Sequence, residues 1–99
     1  MNRGTVIVTG GAKRIGKAIS LKLSSDGYSI AIHYNKSSEA AFNLVKKIQS
    51  IGGEAAAFDA DLNDSDAVSK LIPRIKSTMG HISGVVNNAS IFSYDDILS

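Results

Sequence analysis

The residues best suited to chemistry form a glycine-bearing loop near the start of the sequence. Val6-Ile7-Val8 leads into Thr9-Gly10-Gly11-Ala12-Lys13-Arg14-Ile15-Gly16, after which apolar residues recur at helical spacing. The start of a helix offers backbone N–H groups and the positive end of a dipole, and both favour a bound phosphate. Because glycine lets the backbone come close to a ligand, the pattern predicts a nucleotide phosphate site. Its candidate contacts are Gly10, Lys13, Arg14, Ile15 and Gly16.

The same segment approaches the spacing of a magnesium-triphosphate loop but departs from it at the last position. In Gly11-Ala12-Lys13-Arg14-Ile15-Gly16-Lys17-Ala18, alanine stands where that loop has the serine or threonine whose hydroxyl binds magnesium. The missing oxygen ligand disfavours hydrolysis of a nucleoside triphosphate.

The end of the second predicted strand bears on the choice of dinucleotide. Sites for NAD place an Asp or Glu there, about 20 residues after the glycine loop, where it accepts hydrogen bonds from the ribose 2′-hydroxyl. This sequence reads His33-Tyr34-Asn35-Lys36-Ser37 and has no acid at that place. Lys36, a serine hydroxyl and the loop cations Lys13 and Arg14 would instead surround a 2′-phosphate. The sequence therefore predicts NADPH rather than NADH, and it predicts that His33 supports the ribose pocket rather than a metal.

Short apolar strands alternate with helical segments and would position these residues. The runs that favour strands cover 5–9, 29–34, 54–59 and 82–88. Helices between such strands imply parallel pairing with right-handed crossovers. We therefore expect an α/β fold with a Rossmann-type doubly wound parallel sheet of about four strands in the order 3-2-1-4. Residues 1–99 would form one cofactor-binding domain.

The first two helical segments have recognisable ends. Ile15 begins the apolar spacing of the first, which Gly27 stops. Ser37 or Ser38 caps the second, and its predicted apolar face runs as far as Ile51.

The third helical segment contains the one proline of the sequence. Asn63 or Asp64 is predicted to cap this helix. Pro73 removes a backbone donor in the middle of the segment, so we expect a kink or a break there.

The composition restricts the class of partner. The formal net charge is +2, and the sequence contains no cysteine. The lysines are spread over helix faces rather than gathered in a basic stripe, which disfavours nucleic-acid binding. No apolar run approaches the roughly 18 to 20 residues that cross a bilayer. We expect a cytoplasmic protein. We also expect no metal site, since His81 is the only other histidine that could ligate a metal together with His33.

Three separated motifs occur in a characteristic order, namely Thr9-Gly10 with Gly16, then Asp61-Leu62, then Asn87-Asn88-Ala89. Together they resemble the N-terminal half of the short-chain dehydrogenases/reductases, and the resemblance covers essentially the whole chain. Within that family, Arg14, the stretch from His33 to Ser37 and Asn88-Ala89-Ser90 are most similar to the pteridine reductase branch. Most ketoacyl reductases of the family have glycine or alanine in place of Arg14 and glycine in place of Ser90.

The resemblance implies further contacts to the cofactor. Asp61 and Leu62 would line the adenine, with the carboxylate accepting from its exocyclic amine. The alternative for Asp61 is a local role in the loop before the third helix. Asn88, Ala89 and Ser90 would contact the cofactor farther along, and Asn88 could also join strands through its amide.

The resemblance also implies a substrate site. Arg14, Ser90 and Phe92 would contact a small pterin-like molecule, with Phe92 stacking on its flat ring. A turn for Ser90 and a core position for Phe92 are the alternatives. Reduction of a ketoacyl or sugar carbonyl is the second substrate class.

The catalytic chemistry of the family depends on a Tyr-x-x-x-Lys arrangement that this sequence does not contain. Residues Ile32, Ser38 and Leu98 follow its three tyrosines at that spacing. No catalytic residue is therefore predicted within residues 1–99. Two classes remain, an NADPH-dependent reductase represented by its N-terminal half and an inactive nucleotide-binding fragment. The complete protein is expected to be a homo-oligomer.

Overall fold

The computed structural model describes residues 3–10 and 14–87. In that part of the chain, four strands alternate with three helices. The elements are β1 (Thr5–Val8), α1 (Arg14–Ser25), β2 (Ser29–Tyr34), α2 (Ser38–Ser50), β3 (Ala55–Asp59), α3 (Ser65–Met79) and β4 (Ile82–Val86). The predicted alternation is confirmed.

The strands form a single parallel sheet in the order β3-β2-β1-β4. In its register, Ile32 of β2 lies between Val8 of β1 and Ala57 of β3. This arrangement confirms the predicted α/β Rossmann-like fold and its strand order. Because all strands are parallel, their carboxyl ends meet at one edge of the sheet, where open α/β sheets bind ligands.

Helices pack on both faces of the sheet because successive side chains of a strand point to opposite faces. Val6 and Val8 of β1 pack in a cluster with Leu44 and Ile48 of α2. Ile7, between them, belongs to a second cluster with buried residues of α3. β1 is therefore buried on both faces, and the loop that follows it starts from a rigid strand.

Pro73 does not break α3, which runs without interruption from Ser65 to Met79. A proline at this position deprives the Ser69 carbonyl of its usual backbone donor. Both residues are exposed, so water can supply that hydrogen bond. The expectation of a break was wrong because the defect lies on the solvent side of the helix, and the alternative of a kink stays a prediction.

The helix ends differ from expectation at two points. Ile51 is 62% exposed, because α2 ends at Ser50 and the chain leaves the helical spacing there. Ser37 occupies the N-cap position of α2, yet its side chain makes no capping hydrogen bond. Asp64 caps α3 as predicted, accepting from the backbone N–H groups of Asp66 and Ala67.

None of the helices in the described ranges has the length and apolar composition that crossing a bilayer requires.

Candidate cofactor site

A cavity of about 320 Å³ lies at the carboxyl edge of the sheet. Gly10, which follows β1, and Leu62, which follows β3, line it together with residues 33–37. The sequence assigned all seven of these positions to a cofactor, and the fold brings them to one place. Among the described lining residues, Lys36 is the only side chain that carries a full charge at neutral pH.

The loop between β2 and α2 presents hydrogen-bonding groups to this cavity. Asn35 and Lys36 are exposed, and the Ser37 hydroxyl is not used to cap α2. Tyr34 is half-buried and packs edge-on against Phe42, with ring centroids 5.9 Å apart. No carboxylate lines the cavity within residues 3–10 and 14–87. The loop therefore offers a cation, an amide and a hydroxyl to an anion.

His33 lies beneath this loop and is only 2% exposed. Its Nδ1 accepts a hydrogen bond from the Gly10 N–H at 3.1 Å, and its Nε2 lies 2.9 Å from the Ala60 carbonyl oxygen. A carbonyl can only accept, so Nε2 carries the proton and the ring is neutral. Burial lowers the pKa of His33, while the hydrogen bond to Ala60 and the charge of Asp59 act in the opposite direction.

The start of α1 has an unusual conformation. Arg14, its first residue, is exposed and has a φ of 41°, in the left-handed region that non-glycine residues rarely adopt. The first turn contains no acidic residue. Ile15 is 71% exposed, whereas Gly16 is buried and its carbonyl accepts from the Ser20 hydroxyl at 2.7 Å. Arg14, Ile15 and Gly16 are not among the described residues that line the cavity.

Asp61 and Leu62 are adjacent in sequence, but their side chains have different surroundings in the structure. Leu62 lines the cavity. Asp61 is exposed, and its Oδ1 accepts from the Asn63 backbone N–H at 2.9 Å. That contact corresponds to the local alternative for Asp61. An adenine contact stays a prediction, since a carboxylate has several lone pairs and can accept a second hydrogen bond.

Thr9 joins the end of β1 to the end of β4. Its backbone N–H donates to the Val86 carbonyl at 3.1 Å, and its hydroxyl lies 3.3 Å from the same oxygen and 3.4 Å from Asn87 Oδ1. Sequence reasoning named Thr9 only as part of a motif and assigned it no role. It did not identify Ala60. A polar residue directly after a buried strand was the available signal for Thr9. Ala60 acts through its backbone, which residue type does not reveal.

Several predicted site residues lie outside the described residues, namely Lys13, Asn88, Ala89, Ser90 and Phe92. Within residues 3–10 and 14–87, no group of three or more acidic or histidine side chains is arranged to hold a metal ion.

A family model described as short chain dehydrogenase matches residues 4–98. The chain belongs to this family. A short-chain dehydrogenase/reductase homolog, YusS of Bacillus subtilis, is 41% identical over 85 residues, which are 86% of this chain and 78% of that protein. The 3-oxoacyl-acyl-carrier-protein reductase FabG of Staphylococcus aureus is 36% identical over 88% of this chain but only 35% of its own length.

Two solved structures share the fold described here. FolM alternative dihydrofolate reductase 1 from Brucella canis, complexed with NADP, has a TM-score of 0.82 and 41% identity. It aligns with 92% of this chain, which corresponds to 36% of its own. A blue fluorescent protein from a metagenomic library, in complex with NADPH, has a TM-score of 0.83 and 35% identity over 93% of this chain and 38% of its own. The chain thus spans just over a third of the length of each of these two solved structures.

Proposed function

We propose that this chain is the NADPH-binding part of a short-chain reductase. The observation that carries the proposal is the cavity beyond β2. Lys36 and Ser37 line this cavity, and no carboxylate of the described residues does. A 2′-phosphate adds close to two negative charges, which a cation and a hydroxyl stabilise and a carboxylate would repel. A site for NAD would place an acid at this position.

The start of α1 supports the same proposal. A cation at a helix N-terminus is unfavourable unless an anion is nearby, and Arg14 holds a strained conformation there. The diphosphate of the cofactor would be that anion, bound by Gly10, Lys13, Arg14, Ile15 and Gly16. Both solved structures described above are complexes with NADP or NADPH.

The remaining predicted contacts complete the cofactor site. We assign the adenine to Asp61 and Leu62, and the ribose with its 2′-phosphate to residues 33–37. Asn88, Ala89 and Ser90 would lie toward the nicotinamide, which supplies the hydride when the cofactor is bound. Residues 1–99 contain no Tyr-x-x-x-Lys, so we propose that proton donation depends on residues outside this stretch.

The substrate class we propose is a pterin-like or dihydrofolate-like ring, with Arg14, Ser90 and Phe92 forming part of its wall. Support comes from Arg14 at the loop and from the 41% identity to a FolM alternative dihydrofolate reductase. A ketoacyl group is the second candidate, supported by the 36% identity to a FabG reductase. A turnover screen of the full-length protein with dihydrobiopterin, dihydrofolate and a 3-oxoacyl thioester separates the two. Exclusive turnover of the thioester would contradict the pterin proposal.

The cofactor proposal is tested by titrating the full-length protein with NADPH and NADH. We expect tighter binding of NADPH by at least about tenfold, equivalent to about 1.4 kcal/mol. Lys36→Asp should reverse the preference, because it places a carboxylate where sites for NAD have one. Lys46→Asp is the matched control, since it makes the same charge change at an exposed position of α2. Equal affinities for the two dinucleotides in the unmodified protein would overturn the assignment.

A further inference from the structure

The ring of His33 connects three strand ends. β2 lies between β1 and β3 in the sheet, and the ring reaches a backbone group beyond each neighbour. The Ala60 N–H donates to the Tyr34 carbonyl at 3.1 Å, and this is the last backbone hydrogen bond between β2 and β3 before the two segments diverge. Past that point, backbone pairing no longer holds the loops together. The two hydrogen bonds of His33 continue the connection with a side chain.

The backbone group that His33 holds on the β1 side is the first glycine of the phosphate loop. Gly10 has a φ of +60° and turns the chain from β1 toward α1. No atom of residues 3–10 or 14–87 lies within 4 Å of the position that a Cβ atom at Gly10 would occupy. The hydrogen bond from its N–H to His33 Nδ1 is thus a specific constraint on the direction in which the loop leaves the sheet.

We propose that His33 is a positioning residue for the cofactor, because its neutral ring holds Gly10 in the orientation that phosphate binding requires. The inference rests on the proposed NADPH site and adds to it a residue that acts through the Gly10 backbone. Phosphate binding at a glycine loop depends on backbone N–H groups in fixed directions. A loop released at Gly10 would have to be ordered again by the ligand, and affinity would fall accordingly.

Only one protonation state of the ring makes both hydrogen bonds. The neutral ring donates through Nε2 and accepts through Nδ1, which are the roles that Ala60 and Gly10 require. A second proton would put an N–H at Nδ1 against the N–H of Gly10. Protonation therefore releases the glycine while leaving the contact with Ala60 intact.

The charged groups around the ring do not cancel this effect. On β3, Asp59 favours the protonated ring, but its carboxylate also pairs with Arg74 of α3 at 3.2 Å. Lys36, in the loop before α2, lines the same cavity and disfavours protonation, while Asp61 follows Ala60 and faces solvent. Arg14 at the start of α1 adds positive charge on the side of the glycine loop. Burial outweighs the favourable contacts and lowers the pKa of His33.

Two substitutions separate the two hydrogen bonds in the full-length protein. In His33→Asn, the amide oxygen lies near the former Nδ1 position and can accept from Gly10. In His33→Gln, the amide nitrogen lies near the former Nε2 position and can donate to Ala60. We expect His33→Gln to weaken NADPH binding by about tenfold, the upper range for one hydrogen bond, and His33→Asn to weaken it several-fold less. Equal affinities of the two variants would overturn the proposal.

Thr5→Val controls for general loss of stability. Thr5 is 1% exposed, and its hydroxyl donates to the Met79 carbonyl at 3.3 Å, at the opposite end of β1. This variant also removes one side-chain hydrogen bond from the sheet. We expect a lower denaturation midpoint with NADPH affinity unchanged. If Thr5→Val weakened NADPH binding as much as His33→Gln, positioning by His33 would be contradicted.

The pH profile supplies a readout that a merely structural role would not change. Because the folded pKa lies below the ordinary value of 6.5, NADPH affinity should be full above about pH 6.5 and fall as the pH drops through the folded value. His33→Asn should lack this loss. The titration of the 2′-phosphate, near pH 6 in the free cofactor, affects both proteins alike, so its contribution cancels in the ratio of their affinities. A ratio that stays constant while the pH passes through the His33 midpoint, located by NMR of the ring, would overturn the proposal.

The unmodified protein gives a test that does not depend on any variant folding. In an NMR titration, the Gly10 amide resonance should shift with the midpoint of His33, whereas the Thr9 amide, which donates to Val86, should not. A Gly10 amide chemical shift that does not change as His33 titrates would contradict the proposal. Absence of NADPH binding in the unmodified protein would refute the proposed function itself. If the unmodified protein binds NADPH and the His33 variants bind it equally well, only the positioning role of His33 is refuted.

Discussion

Helices α1 and α3 begin at the same edge of the sheet but with opposite chemistry. α3 supplies its own negative groups, because Asp64 accepts from the Asp66 and Ala67 N–H groups and Asp66 lies in the first turn. α1 has no acid in its first turn and begins with Arg14. Acids stabilise a helix N-terminus and cations destabilise it.

Side chains complete the start of α3, where they satisfy backbone donors and complement the dipole. At the start of α1, Arg14 would be stabilised by an external anion, and we propose that the cofactor supplies it. We therefore expect substitutions at the start of α1 to change NADPH binding, and equivalent substitutions at the start of α3 to change stability.

The largest expected effect is that of Arg14→Glu on cofactor binding. This change places a carboxylate beside the proposed diphosphate, and like charges in contact cost several kcal/mol. We expect NADPH affinity to fall by roughly 30-fold or more, measured by fluorescence titration of the full-length protein. The denaturation midpoint should hold or rise, since an acid favours the helix start.

Lys22→Glu is the matched control for Arg14→Glu. It makes the same charge change at the other end of α1, where Lys22 forms an exposed ion pair with Asp26. NADPH affinity should stay within about twofold, because exposed charges separated by more than a Debye length are screened. A loss equal to that of Arg14→Glu would mean that overall charge, not the helix start, governs binding.

Gly10→Ala is expected to have an intermediate effect on both stability and binding. The left-handed φ of +60° costs a residue with a Cβ about 1–2 kcal/mol, and no atom of the described residues lies within 4 Å to add to that strain. Gly52→Ala is the matched control, since Gly52 also has a positive φ and open space. Both variants should unfold at lower denaturant concentration, but only Gly10→Ala should lose NADPH affinity. Loss of affinity in both would remove the distinction between the two turns.

Asp64→Ala is expected to have the smallest effect and to act on stability alone. Removal of a helix N-cap typically costs about 1 kcal/mol. Chemical denaturation should show that loss, while the dissociation constant for NADPH stays unchanged. A weaker complex with NADPH would indicate that the start of α3 also contributes to the cofactor site. That result would contradict the difference expected between the starts of α1 and α3.

The fold was predictable because local patterns and tertiary packing agree in this chain. β-branched runs such as Val6-Ile7-Val8 form strands, and the alternation with helices dictates a parallel sheet with crossovers. Two expectations at helix positions differ from the structure, for separate reasons. Helical spacing did not show that α2 ends before Ile51, and the donor missing at Pro73 lies where water can replace it, so α3 continues through that residue.

The residues that line the cavity could be named from the sequence, but their contacts with one another could not. Strand ends and residue types indicated Gly10 and Lys36, the family resemblance indicated Leu62, and all three line one cavity. The bond between the Gly10 N–H and His33 depends on the order of strands in space, and a backbone group carries no sign of it in the sequence. The left-handed conformation of Arg14 is equally invisible from residue type.

The most direct test is phosphorus NMR of NADPH bound to the full-length protein. If Lys36 and Ser37 surround the 2′-phosphate, the pKa of this group should fall below its free value of about 6, because nearby positive charge favours the dianion. Lys36→Asp should abolish that decrease. A bound 2′-phosphate that titrates as it does free in solution would contradict the account.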